Sequence, residues 1–268
     1  MFLLKFIVPF EAKPLIKTLG VLIKKIFRCF SMKTLVLGAS GATGKLVVSQ
    51  LLERNMFTRI VIRESAKIPD KFVEDKNVEI IKGNIDSFSI DKIRELVLDC
   101  DSIVCCLGHN ISFKGMFGKP HKLVVNVVKK ISASIASYNA AKKFILMSTT
   151  AYTNKNQGEE NTFWEKLVFS LLEIVLPPHK DNILAGDHLI FEVGKSEKIE
   201  WIAVRPDSLF DEENKSEFEI HENKIRSPIF NAGKTSRINV SHFMVDLLGN
   251  DSLWQNWKYK TPVIYNKE

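Results

Sequence analysis

Short apolar runs alternate with longer segments of helical periodicity along most of the chain. Six runs have the aliphatic, β-branched composition of buried strands, and they lie at 34–37, 59–63, 78–83, 101–108, 143–148 and 200–206. Between them, apolar residues recur at helical spacing over 45–53, 89–98, 120–141, 163–176 and 181–193. This alternation predicts an α/β fold: a doubly wound, mostly parallel sheet with helices on both faces.

Capping and breaking residues suggest where several elements begin and end. Ser89 is a candidate N-cap for the helix at 89–98, and the prolines at 177–178 predict the end of the helix at 163–176. In the last third, the polar stretch 211–224 predicts a loop or a hairpin. Ser241 is a candidate cap before the apolar run 243–248, and 262–265 predicts an edge strand.

The first strand leads directly into a glycine-rich turn and a helix. The turn reads Gly-Ala-Ser-Gly-Ala-Thr-Gly, a GxxGxxG spacing. Glycines let the backbone approach a pyrophosphate, and the free N–H groups and dipole of a helix N-terminus attract its charge. We therefore predict a dinucleotide site at this turn, although a tight βα turn that binds nothing is the alternative. Its residues are Gly38, Ser40, Gly41, Ala42, Thr43 and Gly44.

Other strand ends supply the remaining candidates, because ligands of open α/β sheets bind outside the carboxyl ends of the strands. Arg63 stands at the end of the second strand, where an acidic residue would bind the ribose of NAD and an arginine suits the 2′-phosphate of NADP. We predict NADP rather than NAD; the alternative is that Arg63 and Glu64 form a solvated charge pair. Asn84, a common turn residue, and Ile85 would flank the adenine. The further cofactor-binding candidates are Lys67, Cys106, Leu107, Gly108, Thr149 and Pro206.

Catalytic candidates follow the fifth strand. Ser148, Thr150 and Tyr152 carry hydroxyls that would orient a carbonyl or a nicotinamide, but none is an obvious general acid at neutral pH. The hydroxyls of Thr149 and Thr150 have a simpler alternative role as caps of a turn. The histidines show no metal-ligand spacing with acids or cysteines, so no metal site is predicted.

The distribution of charge and the cysteine content argue against several classes of protein. The formal net charge is +7, but residues 1–31 hold six Lys or Arg and one Glu, which gives +5 for them and leaves +2 for the rest. The body is nearly neutral, so nucleic-acid binding is not expected. The four cysteines form no CxxC pair, which argues against a disulfide framework or a zinc site and favours a reducing, cytoplasmic setting.

Residues 1–31 form a basic extension with apolar residues at helical spacing. Three interpretations are open. The segment is a peripheral membrane anchor, it contacts the domain or a partner subunit, or it is upstream sequence with Met32 as the natural start. The remaining residues, 32–268, are predicted to form one dinucleotide-binding domain whose C-terminal part makes the substrate pocket. The oligomeric state is not predicted.

Several stretches together resemble a known family. Besides the glycine turn, they are 61–63 with Lys67, 83–86, 106–108, 176–178, 186–189, 204–206, 236–238 and 242–244. Over about residues 33–266 the chain resembles the atypical short-chain dehydrogenase/reductases with an NmrA-like NAD(P)H-binding domain, most closely the biliverdin reductase B or flavin reductase group. The resemblance implies a Rossmann-type domain that binds NADP(H) and acts as an oxidoreductase, transferring a hydride to a small, planar small-molecule acceptor such as a flavin or quinone.

The chain also departs from this pattern. Thr150 aligns with a serine near the family's substrate, and Glu192 aligns with a histidine of a later helix. The apolar insertion between Tyr152 and Pro177 is expected to reshape the acceptor pocket. Tyr138 and Lys142 have the Tyr-x-x-x-Lys spacing of short-chain reductases but precede the fifth strand, so we interpret the match as coincidence. Some relatives are non-catalytic redox sensors, and this alternative stays open.

Overall fold

The computed structural model describes residues 32–108, 122–175 and 177–267 of the 268-residue chain. The predicted extension at 1–31 therefore lies outside the described residues, as does the start of the helix predicted at 120–141. The strands of the described part are β1 Lys33–Leu37, β2 Phe57–Ile62, β3 Val78–Lys82, β4 Ser102–Cys105, β5 Lys142–Met147, β6 Ile199–Pro206, β7 Ser208–Phe210, β8 Phe218–His221, β9 Lys234–Ser236 and β10 Val263–Asn266.

Helices connect most of these strands. They are α1 Ala42–Glu53, α2 Asp70–Glu74, α3 Ile90–Val97, α4 Leu123–Ala136, α5 Phe163–Val175, α6 Pro177–Asp187 with a π-helical continuation His188–Val193, α7 Arg237–Gly249 and α8 Asp251–Trp257. Ser89 caps α3 as predicted, because its side chain accepts a hydrogen bond from the N–H of Lys92. Short 3₁₀ turns cover Ile85–Ser87 and Lys155–Gln157.

One large sheet organises the described part of the chain. Its strand order is β3-β2-β1-β4-β5-β6-β10-β8, and all pairs are parallel except β10 with β8. The first six strands have the doubly wound order. The chain adds strands outward from β1 to β3, then returns to the other side of β1 and adds strands outward from β4 to β6. The predicted α/β class and mostly parallel sheet are confirmed. In sheets of this order, ligands bind at the carboxyl ends of the two strands beside the reversal, which are β1 and β4 here.

The sheet separates two apolar cores, and β1 shows how its pleat divides them. Leu35 and Leu37 join the core beneath α3 and α4, whereas Val36 faces the opposite core beneath α1 and α7. All three side chains are fully buried. A strand covered on both faces needs apolar residues at every position, which is why its sequence reads as a continuous apolar run.

The C-terminal third differs from the sequence-based expectation. The predicted edge strand, β10, is an interior strand between β6 and β8, and β8 lies inside the stretch predicted as a loop or hairpin. Ser241 is not a cap. The cap is Ser236, whose Oγ accepts from the N–H of Asn239 at 3.3 Å, whereas Ser241 Oγ donates to the carbonyl of Ile238 within the helix. Helix α8 was not predicted.

The insertion after β5 forms helix α5 and leads into α6. Helix α5 ends where the prolines predicted, but a new helix begins at Pro177 instead of at residue 181, since proline is tolerated in a first helical turn. The outer face of α5 is apolar and exposed: Phe163, Trp164, Leu167 and Leu171 are 54–72% exposed. No helix of the described residues is long and apolar enough to span a membrane.

Candidate functional site

The glycine turn after β1 is shaped by contacts that exclude side chains. Gly38 has φ +81°, and a Cβ there would lie 2.5 Å from the carbonyl oxygen of Cys106. At Gly44, a Cβ would lie 2.1 Å from the carbonyl oxygen of Gly38. The Gly41 N–H donates to that same carbonyl at 2.9 Å. The glycines thus let α1 and the end of β4 pack directly against the turn.

The N-terminus of α1 is left open for a ligand. Gly41 is the N-cap residue and supplies no side-chain hydrogen bond, and the first helical bond runs from the N–H of Lys45 to its carbonyl at 3.0 Å. Gly41 and Ala42 are exposed, whereas Thr43 is buried. Uncapped N–H groups at the positive end of a helix dipole suit an anionic group. The cradle therefore fits a dinucleotide pyrophosphate.

The end of β2 presents two basic side chains to solvent. Arg63 follows the last residue of the strand, and its carbonyl accepts from the N–H of Ala66 at 2.9 Å. Ala66 and Ile68 pack against the core, while Arg63 and Lys67 are exposed. The turn is therefore anchored by its apolar residues, and the two basic groups remain accessible to a ligand at the carboxyl edge of the sheet.

The residues that follow β3 and β4 differ in their exposure and in their contacts. Asn84 is exposed, and its Oδ1 accepts from the N–H of Asp86 at 3.4 Å, so it caps the 3₁₀ turn in which Ile85 is buried. Cys106 is buried beside Gly38, and burial raises the pKa of its thiol. Of the residues that follow, Leu107 is partly buried and Gly108 is exposed.

The hydroxyls that follow β5 do not converge on one point. The buried Ser148 Oγ has no hydrogen-bond partner among the described residues. Thr149 Oγ1 accepts from the N–H of Ala151 at 3.2 Å and so caps a turn. Thr150, whose N–H donates to the carbonyl of Pro206, uses its side chain to donate to the carboxylate of Asp207.

Tyr152 has a different carboxylate partner, Asp187, to which its hydroxyl donates at 3.1 Å. Burial first, and then the charge and hydrogen bond of Asp187, raise the pKa of Tyr152. The tyrosine ring lies against Gly186, where an added Cβ would come 3.0 Å from Cε2. This contact gives a structural reason for glycine at the start of the 186–189 motif.

A cavity of about 660 Å³ lies beside the segment that follows β5. Its walls come from three parts of the chain: that segment, α5, and α6 with its π-helical end. The lining residues are Ala151, Tyr152, Thr153, Lys155, Gly158, Glu159, Glu160, Asn161, Lys166, Phe169, Ser170, Ile183, Asp187 and Phe191. The insertion thus supplies much of the wall of a cavity large enough for a small organic ligand.

A family model described as NAD(P)H-binding matches residues 38–251, most of the chain. The chain belongs to this NAD(P)H-binding family. The match starts at the first glycine of the turn, and the family agrees with the resemblance to atypical short-chain dehydrogenase/reductases.

Solved structures share the fold at low sequence identity. The oxidoreductase YlbE of Lactococcus lactis has a TM-score of 0.64 at 17% identity, with 88% of this chain and 92% of that chain covered. A short-chain dehydrogenase/reductase of Veillonella parvula in complex with NADP has a TM-score of 0.61 at 16% identity, covering 88% and 94%. ChuY, an anaerobilin reductase of Escherichia coli O157:H7, has 0.63 at 13% identity, covering 88% and 98%.

Sequence relatives cover shorter stretches. An uncharacterized chloroplastic protein of Arabidopsis thaliana is 30% identical over 82 residues, which are 30% of this chain and 29% of the relative. Protein HTATIP2 of Rattus norvegicus is 25% identical over 162 residues, which are 58% of this chain and 65% of the relative. The matches span less than two thirds of the length of either relative.

The NAD(P)H-binding domain contains a buried ion pair that sequence reasoning missed. Arg205 donates to both carboxylate oxygens of Glu159, at 2.6 and 2.8 Å, and the two side chains are 0% and 4% exposed. Arg205 also donates to the carbonyls of Thr261 and Tyr152. The pair ties β6 to the cavity wall, and the arginine of the 204–206 motif was the only sequence signal for it.

Asp187 and Asp207 were also missed as partners of the candidate hydroxyls. Asp207 follows β6 and accepts from the N–H groups of Ser208 and Gly233 in addition to Thr150. Burial raises the pKa of Asp207 against the effect of these bonds. Asp187 lies in the 186–189 stretch that resembles the family, but its role comes from its hydrogen bond with Tyr152, which is 35 residues earlier in the chain.

The other predicted features have structural partners. The Tyr138 hydroxyl donates to the carbonyl of Arg94 at 2.8 Å, and Lys142 Nζ donates to the carbonyls of Leu98 and Cys100. This agrees with our interpretation that their spacing is coincidental. Glu192 is exposed and pairs with Lys129 and His188. No cluster of metal-ligating side chains occurs in the part of the chain that the structure describes.

Proposed function

We propose that the protein is an NADP(H)-dependent reductase that transfers a hydride to a small planar acceptor such as a flavin or a quinone. The observation that carries the proposal is the open glycine cradle, with exposed basic groups at the next strand end and a cavity beyond β5. When bound, the dinucleotide supplies the hydride. The protein supplies positions for the two reactants.

The cofactor-binding roles follow from these positions. The N–H groups of 41–44 would hold the pyrophosphate, and Arg63 with Lys67 would hold the 2′-phosphate. Asn84 and Ile85 would flank the adenine. The chain from Cys106 to Gly108, with Thr149 and Pro206, would line the nicotinamide half. The unpartnered hydroxyl of Ser148 is suited to a hydrogen bond with the nicotinamide or the acceptor.

The orientation of the hydroxyls supports the acceptor class. Thr150 and Tyr152 direct their protons to carboxylates, so neither is placed to act as a general acid. Hydride addition to a flavin or quinone gives an anion stabilised by delocalisation, which takes its proton from water. Such acceptors therefore need no acid from the protein, unlike a simple ketone. An anaerobilin reductase among the structural neighbours agrees with a reductase role.

Replacing Arg63 by Glu tests the cofactor assignment. Because a charge-assisted bond to the 2′-phosphate is absent with NADH, we expect the preference for NADPH over NADH to fall by about tenfold or more. Dissociation constants of both dinucleotides, measured by titration calorimetry, give the ratio. Arg94→Glu makes the same charge change at an exposed position on α3 and should leave the ratio unchanged. An unaltered ratio in Arg63→Glu would refute the phosphate role.

A second function, dinucleotide sensing without catalysis, is equally compatible with Thr150 and Tyr152 not being placed as general acids, because a sensor needs only the cofactor site. NADPH consumption with a panel of flavins and quinones separates the two functions. Turnover with any acceptor rejects the purely sensory role. Tight NADPH binding without turnover across the panel rejects the reductase instead.

A further inference from the structure

Tyr152 and Asp187 form a hydrogen-bonded pair on the wall of the cavity. The hydroxyl donates to Asp187 Oδ1 at 3.1 Å, and both residues line the cavity of about 660 Å³. A phenol has one proton, so this bond commits that proton to Asp187. The lone pairs of the phenol oxygen are the groups left for a ligand.

The surrounding packing holds this orientation. Tyr152 is 3% exposed, its ring is in contact with the α6 backbone at Gly186, and its carbonyl accepts from Arg205 Nη1 at 3.0 Å. Turning the side chain away from Asp187 would require movement of α6 or of the segment fixed by the buried arginine. The phenol oxygen is therefore fixed in position before any ligand binds, and the hydrogen bond to Asp187 directs its proton.

The charges around Tyr152 also keep its hydroxyl protonated. Burial raises the pKa of Tyr152, the Asp187 carboxylate adds to this effect, Arg205 opposes it and Glu159 reinforces it. The phenol therefore stays neutral at physiological pH. A neutral phenol that donates to a carboxylate offers an incoming ligand an acceptor and not a proton.

We propose that Tyr152, oriented by Asp187, is a specificity-determining residue that accepts a hydrogen bond from an N–H or O–H group of the hydride acceptor. This inference rests on the proposed function and deepens it. A tyrosine in this role favours planar acceptors that carry a hydrogen-bond donor at the edge of the ring system, such as the imide N–H of a flavin. Simple quinones, which carry only carbonyl oxygens, gain nothing from this contact.

A pair of ligands that differ only at the imide tests the proposal. Lumiflavin carries an N–H at N3, and 3-methyllumiflavin carries a methyl group there. We expect the wild-type protein with bound NADP to bind lumiflavin about tenfold more tightly, the size of one good hydrogen bond. Tyr152→Phe should lose that preference, and in turnover with NADPH the change should fall on KM and not on kcat.

Asp187→Asn provides an independent variant. An amide both donates and accepts, so it no longer fixes the phenol proton, and the preference should shrink while the tyrosine remains. Tyr138→Phe is the matched control, because it removes a hydroxyl that donates to a backbone carbonyl and does not line the cavity. It should keep the wild-type preference.

The outcomes separate this inference from the proposed function. Equal preference in wild type and Tyr152→Phe overturns the inference, as does failure of the wild type to bind lumiflavin. A protein that reduces menadione with NADPH yet does not distinguish the two flavins keeps the proposed function and loses only the specificity role. Failure to bind NADPH rejects the proposed function itself.

Discussion

Replacing Arg205 by Met tests the buried ion pair that holds the cavity wall. The substitution keeps an unbranched side chain in the core but removes the guanidinium that donates to Glu159 at 2.6 and 2.8 Å. Glu159, 4% exposed, would then be a buried carboxylate without its cation. The remaining donors to it are the N–H groups of Asn154 and Lys224, each at 2.9 Å.

The magnitude follows from this loss. Breaking a buried pair by removing one partner costs about 3–5 kcal/mol, a large part of the roughly 5–15 kcal/mol that stabilises a typical domain. For a protein of this size the midpoint of thermal unfolding should fall by roughly 10 °C. Urea unfolding followed by circular dichroism measures the free energy change, with the slope checked for a two-state transition.

Two comparisons make the measurement specific. Lys267→Met removes one partner of an exposed pair, whose side chains are 54% and 82% exposed, and should cost less than about 0.5 kcal/mol. The double variant Arg205→Met with Glu159→Gln removes both charges and should recover about 1–2 kcal/mol relative to Arg205→Met. Glu159→Gln alone completes the set. The reasoning is refuted if Arg205→Met behaves like the surface control, or if the effects of the Arg205→Met and Glu159→Gln single variants simply add in the double variant.

Two further predictions concern the cradle and the pH dependence of stability. Gly44→Ala should weaken NADPH binding at least tenfold and lower the unfolding midpoint, because its Cβ would lie 2.1 Å from a backbone carbonyl; calorimetry and thermal melts measure both. For Asp99, burial raises the pKa, but hydrogen bonds from Lys33 and Arg59 outweigh it and lower the pKa from 3.8 to about 2. Its stabilisation is thus complete above pH 3.8 and is lost as the pH falls toward 2, which urea midpoints of wild type and Asp99→Asn at successive pH values will show.

The Gly44→Ala and Asp99→Asn predictions each have a control or a result that would contradict them. Gly249→Ala adds a Cβ whose nearest neighbour is Arg54 Nη1 at 3.9 Å, so it should change neither binding nor stability appreciably. Normal NADPH affinity in Gly44→Ala would contradict the close-packed cradle. The Asp99 carboxylate is 52% exposed, so solvent screening keeps its effect small. A stability difference between wild type and Asp99→Asn that does not narrow at acid pH would contradict the assignment.

Much of the sheet was predictable because its determinants are local. The buried strands β1 to β6 are short apolar runs bounded by turn residues, and the helices between them show the roughly 3.6-residue period of an amphipathic helix. Both kinds of element can therefore be predicted from short segments of sequence. The glycine turn was predictable for the same reason. Its conformation depends on the residues 38–44 themselves, and Gly38 takes the positive φ that glycine tolerates best.

The C-terminal third was less predictable because its elements are short and depend on distant partners. Ser236 and Ser241 both precede apolar residues, and only the hydrogen bond to the Asn239 N–H identifies the former as the cap. The run at 262–265 has the composition of a strand wherever it lies in a sheet. Its interior position depends on β8, which the polar sequence around it concealed.

The sequence alone determined the α/β architecture, the position of the glycine cradle and the basic residues beside it, because periodicity and turn chemistry act over short distances along the chain. Only the tertiary structure decided how the polar groups of the site are paired. Tyr152 meets Asp187 across 35 residues, and Arg205 meets Glu159 across 46. Most buried polar groups need a hydrogen-bond partner, and the packing of the whole domain decides which partner each of them meets.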